Sequence, residues 1–183
     1  CTSGQSFEYQ EWSENVFSHV EAEYGGMAAK RLRSLHDMIR DNQNLPVMEK
    51  LKLVNTTLNQ LPWIADSVHW KQTDYWATPM ETITTFGGDC EDIAIVKWVT
   101  LVHLGISGTH LRLAYARIKR TGENHMVLVY IENPDDKPQQ QRGWVLDNYI
   151  NQVKRGKDRT DLWAIYVTDG RGNLALIADN GKE

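Results

Sequence analysis

From Ile93 to Leu104 the chain is apolar on nearly every face of a helix: Ile93, Ala94, Ile95, Val96, Trp98, Val99, Leu101, Val102 and Leu104. A helix without a polar face belongs at the centre of a domain, because any exposed side would leave apolar surface in water. Gly87-Gly88 precede it, Asp89 is a good N-cap, and Gly105 follows as a stop. The spacing predicts a buried helix from about Cys90 to Leu104, with Cys90 in its first turn. The rest of the fold has to be built around that segment.

The chain before it reads as helical. Trp12, Val16 and Val20 recur at four-residue steps in a helix expected from Phe7 to about Tyr24, ended by Gly25-Gly26. Ala28, Leu32, Leu35 and Ile39 form one stripe of a second helix, Met27 to about Arg40, broken by Asn42 and Asn44. Pro46 opens a third, with Val47, Leu51, Val54, Leu58 and Leu61 on its apolar face. Residues 62–88 are irregular and aromatic, carrying Trp63, Trp70, Tyr75 and Trp76. Within them Thr78-Pro79-Met80-Glu81 has the form of a capping box and predicts a short helix. Trp63 and Trp70 stay open between a binding surface and a lid on the core; the core reading is preferred for Trp76.

After Gly105 the period changes. Leu111, Leu113 and Tyr115 alternate, Met126 to Ile131 is a continuous β-rich run, and Trp144–Leu146, Leu162–Thr168 and Leu174–Ala178 are further strands. Pro134 to Pro138 is a hairpin-type loop extended by Gln139 to Gln141. Short connections favour antiparallel pairing. The expected class is α+β in one domain, residues 1–183, with the Cys90 helix packed on an antiparallel sheet.

Net charge is −4 over 183 residues, so no basic field draws in nucleic acid. Ile93 to Leu104 is too short to span a bilayer, which takes roughly 18 apolar residues, and it carries Lys97 and His103. The chain begins at Cys1 rather than Met, so a processed chain is expected, with any targeting segment out of view. A Cys1–Cys90 disulfide and a zinc site are both disfavoured: Cys90 sits in structured surroundings, and the six histidines are scattered.

A cysteine at a helix N-terminus is favoured as thiolate by the macrodipole, and its backbone N–H can serve an oxyanion. It needs a base, and His125 opens the run Asn124-His125-Met126-Val127-Leu128-Val129-Tyr130. An orienting acid is available in Trp144-Val145-Leu146-Asp147 on the next strand. Each feature alone has a plainer reading: a buried Cys is most often a small hydrophobe, and a strand-end His is most often structural. Their conjunction points to Cys90 as nucleophile, His125 as base and Asp147 as orienter.

The stretches WATPMET, GGDCEDIAIVK, NHMVLVY and WVLDN resemble the bacterial transglutaminase-like cysteine proteinases, specifically the LapG-type periplasmic proteases. The resemblance runs from about Trp12 to the last strand and implies a papain/transglutaminase-like core with Cys90, His125 and Asp147 in the catalytic roles. It further implies a periplasmic endopeptidase that cleaves a large biofilm adhesin near its N-terminus. An inner-membrane receptor for cyclic diguanylate would sequester it. The polar loop Asn133 to Arg142 is a departure from the family pattern.

The resemblance also implies calcium. Three carboxylates, Asp89, Glu91 and Asp92, flank Cys90 and would oppose its ionisation. On the residues alone they read equally well as helix caps or as a cation site. The resemblance makes them calcium ligands, and a bound divalent cation reverses the local field. Calcium takes about six to eight oxygens; the turn Ser107 to His110, carbonyls and water are candidates for the rest. Two other functions remain open: an acyltransferase of the transglutaminase type, and a calcium-binding adaptor without activity. The second has no need of all three candidate catalytic residues.

Overall fold

The computed structural model describes residues 9–136, 140–168 and 174–176. Among the described residues six α-helices come first: α1 Glu14–Tyr24, α2 Gly26–Asp41, α3 Val47–Leu58, α4 Asp66–His69, α5 Pro79–Thr85 and α6 Cys90–His103. Six strands follow: β1 Leu111–Ile118, β2 Asn124–Ile131, β3 Gly143–Asp147, β4 Ile150–Arg155, β5 Leu162–Thr168 and β6 Leu174–Leu176. They form one sheet in the order β4-β3-β2-β1-β5-β6 with every pairing antiparallel. The α+β class expected from the sequence is the one observed.

The helix α6 is the hub. Ile93, Val96, Leu101 and Leu104 are buried in a single core that also takes Leu32 and Ile39 from α2, Leu51 and Val54 from α3, and Leu111, Leu128 and Leu146 from the sheet. A smaller cluster, Ala114, Val127 and Val145, forms separately from that core. At about 25 cal/mol per Å2 of apolar area, each fully buried Leu or Ile contributes roughly 2 kcal/mol. The chain therefore buries most where the sequence is most apolar.

Three expectations need correction. The first helix starts at Glu14, so Trp12 precedes it and packs on the core from irregular backbone; Phe7 lies outside the described residues. Strand β4 had no sequence signal, because at the sheet edge only Val153 of its six residues is buried and no alternation arises. The 62–88 segment is also less irregular than it reads, since it contains the single-turn α4. The capping box at Thr78 is present, with Glu81 accepting from the Thr78 N–H at 2.8 Å.

Candidate active site and acidic cluster

The two glycines before Cys90 let the chain squeeze past its neighbours. Gly87 has φ +153°, and a Cβ there would come within 2.6 Å of Ile64 Cδ1. A Cβ on Gly88 would lie 2.6 Å from Asp92 Cβ. Gly88 instead forms a bridge with Trp63, the Ile64 N–H donating to the Gly88 carbonyl at 3.0 Å. Asp89 then caps α6, and Asp92 reaches back to accept from the Asp89 N–H at 3.4 Å. The other Asp92 oxygen accepts from the Ala77 N–H at 2.8 Å. One fully buried carboxylate thus ties the 62–77 segment to the start of the cysteine helix.

Cys90 is a free, half-buried thiol; Cys1 lies outside the described residues. Its Sγ is 3.1 Å from Glu91 Oε2. Burial, then the Glu91 carboxylate, push the thiol pKa well up, and the Met126 N–H acts in the opposite direction. That amide belongs to the residue after His125, so the thiol sits against the start of β2.

The β2–β3 register, Leu128 opposite Leu146, brings the end of β3 alongside the start of β2. His125 Nε2 meets Asp147 Oδ1 at 2.8 Å, with both side chains out of water. Asp147 has two more partners. Its Oδ1 accepts from the Tyr149 N–H at 2.9 Å, and its Oδ2 accepts from Arg159 Nη2 at 2.6 Å. Burial works to raise the Asp147 pKa, but His125, the Tyr149 amide and Arg159 outweigh it and hold the group at about 2. A group that stays anionic fixes the imidazole tautomer: Nε2 carries the proton and Nδ1 carries the lone pair. Nδ1 is buried and has no partner among the described residues. Tyr149 covers the ring in a parallel stack, centroids 4.4 Å apart at 5°.

On the other side of the thiol two of the carboxylates, Asp66 and Asp89, are incompletely satisfied. Oxygens of Asp66, Asp89 and Asp92 lie within 4.8 Å of one another, and Asp66 also groups with Asp74 and Glu91. Asp66 is buried and enters from α4; one of its oxygens accepts from the Tyr75 N–H. Oδ1 of Asp66 and Oδ1 of Asp89 are buried without a hydrogen-bond partner among the described residues. Burial, followed by Glu91, drives the Asp89 pKa up to about 8, and burial drives Asp92 to about 6. Carboxylate oxygens gathered within 4.8 Å of one another, on acids of which two have an orphaned oxygen, are a donor set suited to a hard divalent cation.

Of the six sequence candidates, Cys90, Asp89, Glu91 and Asp92 open α6, while His125 and Asp147 pair across the ladder. The suggestion that Ser107 to His110 adds oxygens fails. That turn follows the far end of α6, about 20 Å from the acids at 1.5 Å per residue. The preference for Trp76 as a core residue also fails: it is 54% exposed, as Trp63 is at 53%. Asp66, Tyr149 and Arg159 were missed. None lies in a periodic pattern, and only the tertiary fold brings them to the site.

A sequence model of the bacterial transglutaminase-like cysteine proteinases matches residues 29–166. The chain belongs to that family. No curated protein sequence matches it. Among solved structures it is similar to Legionella pneumophila LapG, at 30% identity and TM-score 0.77 over 92% of this chain and 90% of that one. The calcium-bound form of LapG gives 30% identity and TM-score 0.77 over 94% and 92%. The EGTA-treated form gives 29% and 0.77 over 93% and 89%. The papain/transglutaminase-like α+β fold follows, and this proteinase is a cysteine protease of the LapG type.

Proposed function

We propose that this chain is a calcium-dependent periplasmic cysteine endopeptidase that cleaves the N-terminal region of a large biofilm adhesin and releases it from the cell surface. A cyclic-diguanylate receptor of the inner membrane holds it in check through that receptor's periplasmic domain. The observation carrying the chemistry is the buried His125–Asp147 pair, with a free Nδ1, at the strand start that faces the helix-start thiol. The adhesin, the receptor and the periplasm are supported by the resemblance to LapG-type proteases and the likeness to LapG itself.

His125 Nδ1 takes the proton from Cys90 Sγ, and Asp147 stabilises the resulting imidazolium. The thiolate attacks the scissile carbonyl carbon; the S–C bond forms and the π pair moves to oxygen. The Cys90 N–H, free at the first turn of α6, is placed to meet that oxyanion. The imidazolium then protonates the leaving amine as the C–N bond breaks, leaving a thioester on Cys90. His125 deprotonates a water, hydroxide adds to the thioester, and the C–S bond breaks to restore the thiolate.

Asp89, Glu91 and Asp92, with Asp66, would hold calcium. When bound, calcium would supply positive charge beside a thiol that burial, Glu91 and Asp89 otherwise keep protonated.

The test is incubation with the N-terminal region of a large adhesin, in calcium and in chelator, with product masses read in the presence of a primary amine. Two hydrolysed fragments in calcium alone are expected, and the receptor's periplasmic domain should suppress them. Amine-bearing products would make it an acyltransferase; an intact adhesin under all conditions would withdraw the substrate.

A further inference from the structure

The helix α6 carries a cation into the core. Lys97, two turns beyond Cys90, is 1% exposed and makes no ion pair within 4.0 Å among the described residues. Burying an ammonium without a carboxylate in contact is costly, and Leu or Met would fill the same space without that cost. Burial pulls its pKa down to about 7, with the charge of Asp147 opposing the fall. Its hydrogen bond runs to Oδ1 of Asn55 on α3, at 2.8 Å.

Asn55 is fully buried, and its Nδ2 donates to the carbonyls of Ile150 and Asn151, both at 2.9 Å. One turn on, at the C-cap of α3, Asn59 Nδ2 donates to the carbonyls of Asp147 at 2.9 Å and Ile150 at 3.1 Å. Those carbonyls lie in the 147–151 turn that runs from the last residue of β3 into the first two of β4 and carries Asp147 and Tyr149. An ammonium only donates, so it forces Asn55 to present Oδ1 and aims the amide NH2 at the turn.

We infer that Lys97 is a positioning residue: acting through Asn55, it holds the 147–151 turn so that Asp147 and Tyr149 keep His125 in place against Cys90. The inference rests on the proposed Cys90–His125 chemistry. A substrate-free readout keeps the two separable: the rate of Cys90 alkylation by iodoacetamide against pH, in saturating calcium, beside melting temperature.

Lys97→Met should lower the alkylation rate at pH 6.5 by about tenfold or more and move the profile to higher pH. Its melting temperature should stay level or rise, since a buried cation is gone. Asn55→Ser should show the same alkylation loss, and it carries the test if Lys97→Met fails to fold. The double variant should lose no more alkylation than either single one, because both cut one chain of contacts. A wild-type alkylation profile in Lys97→Met or Asn55→Ser, with His125→Ala strongly impaired, overturns the positioning role alone. A wild-type profile in His125→Ala overturns the Cys90–His125 reading and this inference with it. Loss that only tracks a fall in melting temperature, or additive losses in the double variant, reduces Lys97 to packing.

Discussion

Asp147 is a fully buried carboxylate and Asp89 a half-buried one in the same site, yet they sit at opposite ends of the carboxylate range. Asp147 has three donors, from His125, the Tyr149 amide and Arg159, and is held at about 2. Asp89 has Glu91 and Asp92 for neighbours and a buried oxygen with no partner, and is pushed to about 8. Burial raises both; the partners decide the outcome. One side of the thiol is electrostatically complete within the chain. The other is complete only with positive charge from outside, which is how a proteinase can make its nucleophile conditional on an ion.

The largest effect should come from breaking the complete side. Asp147→Asn should lower kcat about 10³- to 10⁴-fold with little change in KM, because the imidazole loses its tautomer and the imidazolium its counter-charge. Peptide-cleavage kinetics check this, and near wild-type turnover would remove Asp147 from the mechanism.

Arg159→Met leaves Asp147 Oδ2 buried without its partner. Breaking one half of a buried pair costs about 3–5 kcal/mol, so the denaturant midpoint should fall sharply. A loss within about 0.5 kcal/mol, the usual range for surface substitutions, would mean that Arg159 is not needed to keep Asp147 ionised.

The incomplete side is tested by the ion. Calcium at about 100-fold its dissociation constant should stabilise by roughly 2.7 kcal/mol. Chelation should lower the melting temperature and move thiol alkylation to higher pH together. Glu91→Ala and Asp92→Ala should imitate the chelator, and magnesium should substitute badly because it requires tight octahedral geometry. Coincident alkylation profiles and equal melting temperatures would reduce these acids to helix caps.

Titration of the ion-free chain sharpens the contrast, because the two carboxylates have opposite signs. Asp147 is depressed from 3.8 to about 2, so it contributes stability on the order of 2 kcal/mol above pH 4, lost as pH falls through 2. Asp89 is raised from 3.8 to about 8, so the folded state binds the extra proton and stability falls as pH climbs from 4 to 8. In chelator, Asp89→Asn should flatten the melting curve against pH over 4 to 8 and leave the acid limb unchanged. An unaltered slope would place the strain on another acid of the cluster.

The smallest effect concerns the cover over the imidazole. Tyr149→Ala removes a stacked ring from His125 and should cost about tenfold or less in kcat, with stability nearly unchanged because the ring is half in solvent. A loss approaching that of Asp147→Asn would give Tyr149 a part in the chemistry.

Each residue that could be read in advance belonged to a local pattern. The apolar run after Cys90 announced a central helix, Gly87-Gly88 a close passage, and the β-rich run after His125 a core strand. Cys90, His125 and Asp147 could be named because each stands at the end of such an element. Strand β4 escaped because an edge strand with one buried residue has no period. Trp76 was misjudged because large apolar side chains are usually buried, and here the Ala77 amide is tied to Asp92 while the indole stays outside. Lys97 served only to argue against a membrane span, and its place in the core was invisible.

The sequence by itself determined the class of fold, the order of all helices and strands but α4 and β4, and the three residues proposed as nucleophile, base and orienter. Those properties depend on side-chain period and element ends, which are short-range. Only the tertiary structure decided which carboxylates are satisfied. Arg159 reaches Asp147 from twelve residues away, Asp66 reaches Asp89 from another helix, and Asn55 reaches the 147–151 turn from α3. Electrostatics inside a protein depends on distance through space and exclusion of water, and neither is written in the neighbours along the chain.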